Sequence, residues 1–303
     1  MSGRPKPTVT RNGISLIELL VVIAIIGVLL ALVLTAIQAV RARAARLQDE
    51  ANFRQVCLAV QSYQETYHRL PPLIGKVAVT PSETWPLPVA AFLLPYLEQS
   101  DAATLLKRSP PDYVAPYHAH VVPVYVSPND PSHTKGRVIL NDQVQPGVGN
   151  VAFNVQVFGS KLVPGVSIDG RANLAHSFPD GTSNTVIVAS KRGKCGPDLP
   201  ATKKGGSYWM SAQVRGYVTS TNIDATLSAM FGYALPDAEG NGPTFQVRPG
   251  EQACDPEQPQ GLIAGGITVG MADGSVRMVR AGINPKLWRA GLLPNDGAAL
   301  PSE

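Results

Sequence analysis

The sequence predicts an α+β protein in which a long N-terminal helix, first transmembrane and then amphipathic, packs on a β-rich C-terminal globular domain. An apolar segment near the N-terminus is followed by residues with the period of an amphipathic helix. After residue 71 that period gives way to Pro, Gly and short β-branched runs, which favour strands and turns. We therefore expect a basic leader (1–13), an N-terminal helix (14–70) and a globular domain (71–303).

The composition excludes several function classes. The 303 residues carry a formal net charge of +4 and only 16% of them are charged, which is too weak a charge for a dedicated nucleic-acid binder. Three cysteines without a C-x-x-C pair exclude a zinc ribbon and a thioredoxin-type site. The sequence has no phosphate loop, G-x-S-x-G, H-E-x-x-H or dinucleotide fingerprint, so we expect no catalytic residue, no cofactor and no resident metal.

The first element is a membrane-spanning helix. The apolar run from Leu19 to Ile37 is interrupted only by Gly27 and Thr35. As a helix it rises about 28 Å, close to the roughly 30 Å of bilayer hydrocarbon. We predict one transmembrane helix at about residues 16–38.

A cleaved secretory signal is the alternative for this segment, because Arg4, Lys6 and Arg11 form a basic N-terminal region. Two features oppose it. The apolar run exceeds the roughly 7 to 15 residues of a signal sequence, and Glu18 lies where such a sequence carries no charge. An ionisable residue at the head of a span is costly and is normally kept for a partner.

The string Gly13-Ile14-Ser15-Leu16-Ile17-Glu18, after a short basic leader, resembles the type IV prepilin signal. In that family a prepilin peptidase cleaves after the glycine, the new N-terminal residue is N-methylated, and the fifth residue of the mature chain is glutamate. The resemblance assigns these positions to Gly13, Ile14 and Glu18. It implies the prepilin peptidase/methylase and other pilin-like subunits as partners, the latter through the N-terminal helix.

Cleavage after Gly13 would place two opposite charges near the start of the span. The new ammonium of Ile14 and the carboxylate of Glu18 are both costly in lipid, and pairing them offsets both desolvation costs. Arginines follow the span as closely as basic residues precede it, so the distribution of positive charge does not decide the orientation. The resemblance implies the inner membrane, a cytoplasmic N-terminus, and a globular domain in the periplasm or at the cell surface.

The second half of the helix is the amphipathic stem (residues 41–69). Its apolar residues recur at helical spacings, and Leu70-Pro71-Pro72 ends it. These apolar residues are Leu47, Phe53, Val56, Val60, Tyr63 and Tyr67. Downstream, Val89 to Gln99 predicts a helical segment with a break at Pro95, and Ala102 to Lys107 predicts a helix that Ser100 or Asp101 caps.

Two Asp-Gly turns follow. Asp180-Gly181, with Asn184 beyond it, feeds a predicted strand that includes Val186 to Val188. Asp273-Gly274 joins two predicted strands, Ile267 to Ala272 and Ser275 to Val279. Asn284-Pro285 then predicts the start of a short closing helix.

Several of these segments resemble the large prepilin-like domain of unknown function that is expanded in planctomycetes. They are Ala51 to Ala59, Tyr63 to Tyr67, the L-L-P-Y-L-E-Q string ending at Gln99, Tyr125 to Asp130, Phe178 to Val188, and Met271 to Arg277. Ser127 replaces the family's cysteine. The family usually carries a histidine nine intervening residues before Asp273, and Ile263 stands there. Either this branch has lost the role of the histidine or that residue was never chemical. We favour a structural use of the Asp273-Gly274 motif, because an Asp-Gly pair at a hairpin needs no catalytic explanation.

Other candidate residues have two interpretations. His118 and His120 could bind a metal from one strand or face solvent. Asp180 and Asp273 could offer oxygens to Ca²⁺, although the D-x-[DN]-x-[DN]-G spacing is absent there. Cys195 and Cys254 could form a loop disulfide, whereas Cys57 is expected to be a buried apolar residue. The tryptophans Trp85, Trp209 and Trp288, together with Tyr208, are expected in the core.

Three functions are compatible with this sequence. The favoured one is a non-catalytic pilin-like or pseudopilin-like subunit of a pilus or of a type II secretion-like system. The second is an exported surface binding module that uses the prepilin route without forming a filament. The third, which we favour least, is a membrane-tethered enzyme.

Overall fold

The structure is a computed structural model that describes residues 16–80, 83–108, 119–138, 147–159, 172–196, 205–210, 229–232 and 235–297. The chain divides into two compact units, residues 1–44 and 45–303. The second unit takes in the second half of the N-terminal helix. Gly13 and Ile14 lie outside the described residues.

The N-terminal helix α1 (Leu16–Tyr67) is continuous over 52 residues, as the sequence predicts. No proline occurs between Pro7 and Pro71, and the segment is rich in Leu, Ala, Arg and Gln, which are good helix formers. The helix ends where His68 adopts a left-handed backbone with φ of 57°. Pro71 and Pro72 follow directly and would not continue a helix.

The remaining helices in the described residues are short. They are α2 (Val89–Leu93), α3 (Ser100–Arg108), α4 (Val155–Phe158) and α5 (Pro285–Leu292). The strands are β1 (Ile74–Thr80), β2 (Glu83–Pro88), β3 (Val151–Asn154), β4 (Val186–Ser190), β5 (Lys194–Cys195), β6 (Gly205–Gly206), β7 (Met230–Phe231), β8 (Gln246–Val247), β9 (Gln260–Gly261), β10 (Gly266–Met271) and β11 (Val276–Arg280).

One helix boundary agrees with the sequence prediction and one differs from it. The break expected at Pro95 is confirmed, because α2 ends at Leu93 and a 3₁₀ turn with this proline near its start follows at Leu94–Leu97. α3 begins at Ser100 itself, since the carbonyl of Gln99 already accepts a hydrogen bond from the backbone N–H of Ala103 at 3.0 Å. Ser100 therefore lies inside the helix rather than capping it.

The central sheet has five strands in the order β11-β10-β4-β3-β7. β10 pairs antiparallel with β11 and with β4, β4 pairs antiparallel with β3, and β3 pairs parallel with β7. The predicted hairpin is confirmed as β10 and β11. Its turn closes when the backbone N–H of Gly274 donates to the carbonyl of Met271 at 3.0 Å, with φ of 88° at Gly274.

The sheet is covered on both faces. One apolar cluster joins Phe53, Val56 and Val60 of α1 to Phe153 and Val188 of the sheet. A second cluster, on Ala152, Val269 and Met271, includes Trp288 and Leu292 of α5. The predicted cap of α5 is confirmed, because the Asn284 side chain accepts from the backbone N–H of Lys286 at 2.9 Å.

Candidate functional site

The first half of α1 presents an apolar surface. Its large apolar side chains are exposed over the whole segment, from 43% at Ile37 to 81% at Leu16. The helix is long and apolar enough to cross a membrane. An apolar surface of this extent is unfavourable in water, so this segment has the properties of a bilayer anchor.

Glu18 lies in the first turn of α1. Negative charge is favourable there, because the N-terminal end of a helix carries partial positive charge. The other two residues of the predicted processing site, Gly13 and Ile14, lie outside the described residues. Glu18 is thus the member of that site that the structure places.

The amphipathic stem is held to the globular domain by a polar contact that the sequence did not reveal. Asp49 is 5% exposed, and its carboxylate accepts hydrogen bonds from the Ser127 hydroxyl at 2.9 Å and from the Asn129 side-chain amide. One turn along, the Asn52 amide donates to the carbonyl of Val126 at 3.0 Å. We call these five residues the stem–loop contact.

Burial raises the pKa of Asp49 above its ordinary value. The hydrogen bonds from Asn129 and Ser127 oppose that rise because they stabilise the charged form, and the nearby carboxylate of Asp130 adds to it. Asp49 lies beyond the apolar half of α1, within the globular unit. A clue was present in the sequence, since a charged residue at position 49 falls at helical spacing with the apolar positions Phe53, Val56 and Val60.

Hydrogen bonds of Asp130 and Asn150 hold the loop of the stem–loop contact in place. The Asp130 carboxylate accepts from the Asn150 amide at 2.6 Å and from the backbone N–H groups of Gly193 and Ser132 at 2.7 and 2.9 Å. The Asn150 side-chain oxygen accepts from the backbone N–H of Ser127 at 2.9 Å. Both oxygens of Asp130 therefore have donors, which is the arrangement of a structural carboxylate.

The two Asp-Gly turns, distant in sequence, lie side by side. The backbone N–H of Asp273 donates to the carbonyl of Thr182 at 3.1 Å, and that of Ala272 donates to the carbonyl of Thr185 at 3.0 Å. Gln61 of the stem donates from its amide to the carbonyl of Ala272 at 3.3 Å. The helix thus contacts the turn region through backbone atoms of the second motif.

The Asp180 and Asp273 carboxylates both accept hydrogen bonds from backbone N–H groups. Asp180 accepts from the backbone N–H groups of Asp296 and Gly297 at 2.8 and 3.1 Å, and so holds the segment that follows α5. Its own carbonyl accepts from the Asn184 amide at 2.8 Å. Asp273 accepts from the backbone N–H of Ser275 at 2.8 Å. Gly181 has φ of 101°, which a side chain would disfavour.

Metal-ligand groupings are absent from the described part of the chain, where no three His, Cys, Asp or Glu side chains converge. His118 lies outside that part. The carbonyl of His120 accepts from the indole N–H of Trp209 at 2.8 Å. Ile263, at the position of the family histidine, is half-buried and forms an isolated antiparallel bridge with Gly266.

Two of the three cysteines form a disulfide and the third is a free thiol. Cys195 and Cys254 form a disulfide, and a 2.8 Å salt bridge joins the neighbouring Lys194 and Glu251. Cys57 is a buried free thiol. Trp209, Trp288 and Tyr208 lie in the core, and the side chain of Trp85 lies outside the described set.

An exposed apolar helix with an acid in its first turn, continuing into a stem that packs on an α+β domain, defines a type IV pilin-like, membrane-anchored protein. The model of the prokaryotic N-terminal methylation motif matches residues 10–34. The model of a family described as protein of unknown function (DUF1559) matches residues 38–286, and the chain belongs to that family. No curated protein and no solved structure matches the chain.

Proposed function

We propose that this protein is a non-catalytic subunit of a pilus or of a type II secretion-like assembly, cleaved after Gly13 and N-methylated at Ile14. The observation that carries the proposal is Glu18 in the first turn of α1, within the segment that matches the methylation motif. Cleavage after Gly13 makes Glu18 the fifth residue of the mature chain. Cleavage also creates an ammonium group on Ile14, with which the Glu18 carboxylate can pair. In the bilayer this pairing offsets the cost of burying each charge.

We further propose that α1 lies in the inner membrane and that residues 45–303 are outside the cytoplasm. The Cys195–Cys254 disulfide supports this orientation, because disulfides persist in oxidising compartments and are rare in the cytosol. The proposal of a non-catalytic role is supported by Asp130 and Asp180. These carboxylates accept hydrogen bonds from backbone N–H groups of neighbouring segments, as structural residues do.

Mass spectrometry of the native N-terminus tests the processing. We expect N-methylated Ile14 as the first residue, and an unprocessed chain in Gly13→Leu. Gly27→Leu is the matched control, because Gly27 is also in the N-terminal region and a Cβ there meets no atom within 4 Å. Recovery of Met1, or of an N-terminus well inside the span, contradicts the proposal.

Cross-linking tests the assembly. Leu47 and Leu58 are 58% and 51% exposed on the stem, so cysteines placed there are accessible, whereas the native Cys57 is buried. In cells we expect cross-links between copies or to partner subunits. Glu18→Gln should leave cleavage intact and reduce the cross-links. Efficient processing with no cross-link at either position favours the single-subunit binding module instead.

A further inference from the structure

A second charged feature lies at the opposite end of the membrane-spanning segment. From Leu19 to Gln48 the chain carries no acidic residue, and its only charges are Arg41, Arg43 and Arg46. Arg46 is already engaged, since its guanidinium contacts the Glu50 carboxylate at 3.3 Å and the Met278 sulfur at 3.6 Å. Arg41 and Arg43 are exposed.

These two arginines, the arginine pair, have no acid within helical reach. Positions three and four residues away on either side hold Ile, Gln, Ala, Val, Leu or Arg, so no intrahelical ion pair can form. The arginine pair therefore carries two positive charges at the point where the apolar segment ends.

The rise of the helix places this charge at a specific depth. From Glu18 to Arg41 the helix rises about 35 Å, which is longer than the roughly 30 Å of bilayer hydrocarbon and shorter than the roughly 40 to 45 Å of the bilayer with its headgroups. If Glu18 lies at one boundary of the hydrocarbon, the arginine pair lies in the headgroup layer of the other leaflet.

The direction of the two side chains distinguishes lipid from protein as the partner. Two positions apart on an α-helix means about 200° around the axis, so Arg41 and Arg43 point to opposite sides of α1. One protein partner packs on one side of a helix and would neutralise one of the two. A headgroup layer surrounds the helix and offers phosphates to both.

We propose that Arg41 and Arg43 bind the phosphate groups of anionic phospholipids in the leaflet where the apolar segment ends. The guanidinium group presents paired donors that match phosphate oxygens. This binding would fix the depth of α1 in the bilayer. The proposal rests on anchoring by α1, and it does not depend on cleavage or assembly.

The test uses the full chain in phosphatidylcholine vesicles that contain a minority of phosphatidylglycerol. Spin-labelled phosphatidylglycerol and phosphatidylcholine report, by electron paramagnetic resonance, which lipid is immobilised on the protein. We expect a preference for phosphatidylglycerol of up to about fivefold per arginine, decreasing with salt.

The variants assign the effect. The preference should decrease in Arg41→Gln/Arg43→Gln, in which the basic leader still attracts anionic lipid. It should be unchanged in Arg54→Gln, an exposed arginine more than three helical turns further along α1. Arg41→Lys/Arg43→Lys should keep most of it, because lysine also binds phosphate. Equal association of the two lipids with the wild type, or an unchanged preference in the double Gln variant, overturns the proposal.

Two further arms identify the source of the phosphate. Inorganic phosphate should reduce the preference no more than chloride of the same ionic strength, and a specific effect of phosphate would indicate a site for free phosphate and overturn the lipid assignment. Loss of subunit cross-links in the double Gln variant, without any lipid preference in the wild type, would assign the arginines to a protein contact and also overturn it.

Discussion

The sulfur of Cys57 on α1 lies against Gly270 of β10 and occupies the space that a Cβ at position 270 would need. The same Cβ would come within 2.6 Å of Cγ2 of Val188 on the adjacent strand. Helix and sheet therefore approach each other to a distance that only glycine permits at this position. This contact sets how closely the amphipathic stem packs on the sheet.

We expect Gly270→Ala to lower the free energy of unfolding by about 1 to 3 kcal/mol, because the added methyl group overpacks the helix–sheet contact. The measurement is denaturation of the full chain in detergent, followed by the fluorescence of the buried Trp209 and Trp288. Gly250→Ala is the control, since a Cβ there meets nothing within 4 Å and φ is −62°. In a double-mutant cycle, Cys57→Ala should reduce the destabilisation that Gly270→Ala causes. If the effects of the two changes on the free energy of unfolding are strictly additive, the contact between Cys57 and Gly270 is not the cause of that destabilisation.

The Cys57 thiol should resist alkylation in the folded protein. Burial, with a smaller contribution from Asp273, raises the pKa of Cys57 to about 12. Little thiolate then exists near pH 8, and the thiolate is the reactive form. We expect intact-mass spectrometry to show no iodoacetamide adduct until denaturant is added. The folded state holds this proton more tightly than the unfolded chain, so the associated stability is full below pH 9 and is lost as the pH rises towards 12. Equal alkylation rates with and without denaturant would contradict burial of the thiol.

The stability of the wild type relative to Asp49→Asn should increase as the pH falls. Burial raises the folded pKa of Asp49 above its ordinary 3.8, so its stabilising contribution is full below pH 3.8 and declines as the pH rises through the folded value. Asp49→Asn keeps an acceptor for Ser127 and removes the titration. Denaturation at several pH values should therefore show that the free energy of unfolding of the wild type increases relative to that of this variant as the pH falls.

Asp237→Asn provides a control of opposite sign for that titration. Hydrogen bonds from Asn241 lower the pKa of Asp237, so its contribution is present at neutral pH and is lost in acid. On acidification the wild type should lose stability relative to Asp237→Asn. The same trend for both variants would show that the pH dependence does not come from Asp49.

The disulfide should contribute more to stability than the salt bridge beside it. It closes a loop with a sequence separation of 59 residues, and removal by Cys195→Ser/Cys254→Ser should cost about 2 to 4 kcal/mol. Lys194→Gln, which breaks the partly exposed pair with Glu251, should cost less than about 1 kcal/mol. Denaturation with and without reductant checks the first value. A reduced protein as stable as the oxidised one would refute it.

The elements that could be predicted from the sequence are those with local causes. The period of α1, the Asp273-Gly274 turn of the β10–β11 hairpin and the Asn284 cap of α5 each depend on residues within a few positions of one another. The start of α3 was placed too late, because a serine that could cap a helix also fits its first turn. Helix ends are the least determined part of such a pattern.

The candidate site was less predictable, since its contacts join distant segments. Asp49 and Ser127 are 78 positions apart, and Gln61 and Ala272 are 211 apart. The sequence identified the two Asp-Gly turns and not their adjacency, which arises because β10 and β4 pair in the sheet. A polar residue on an otherwise apolar helix face, such as Asp49, was the available signal.

The order of strands in the sheet has a consequence for how the chain is made. β10 lies between β11 and β4 and supplies the surface against which Cys57 packs, yet it follows the stem by about 200 residues in the sequence. During synthesis the apolar face of the stem therefore stays uncovered until β10 has been translated. A chain truncated before residue 266 would lack β10 and would leave the apolar face of the stem exposed. We expect proteases to degrade such a product before it can assemble with other subunits.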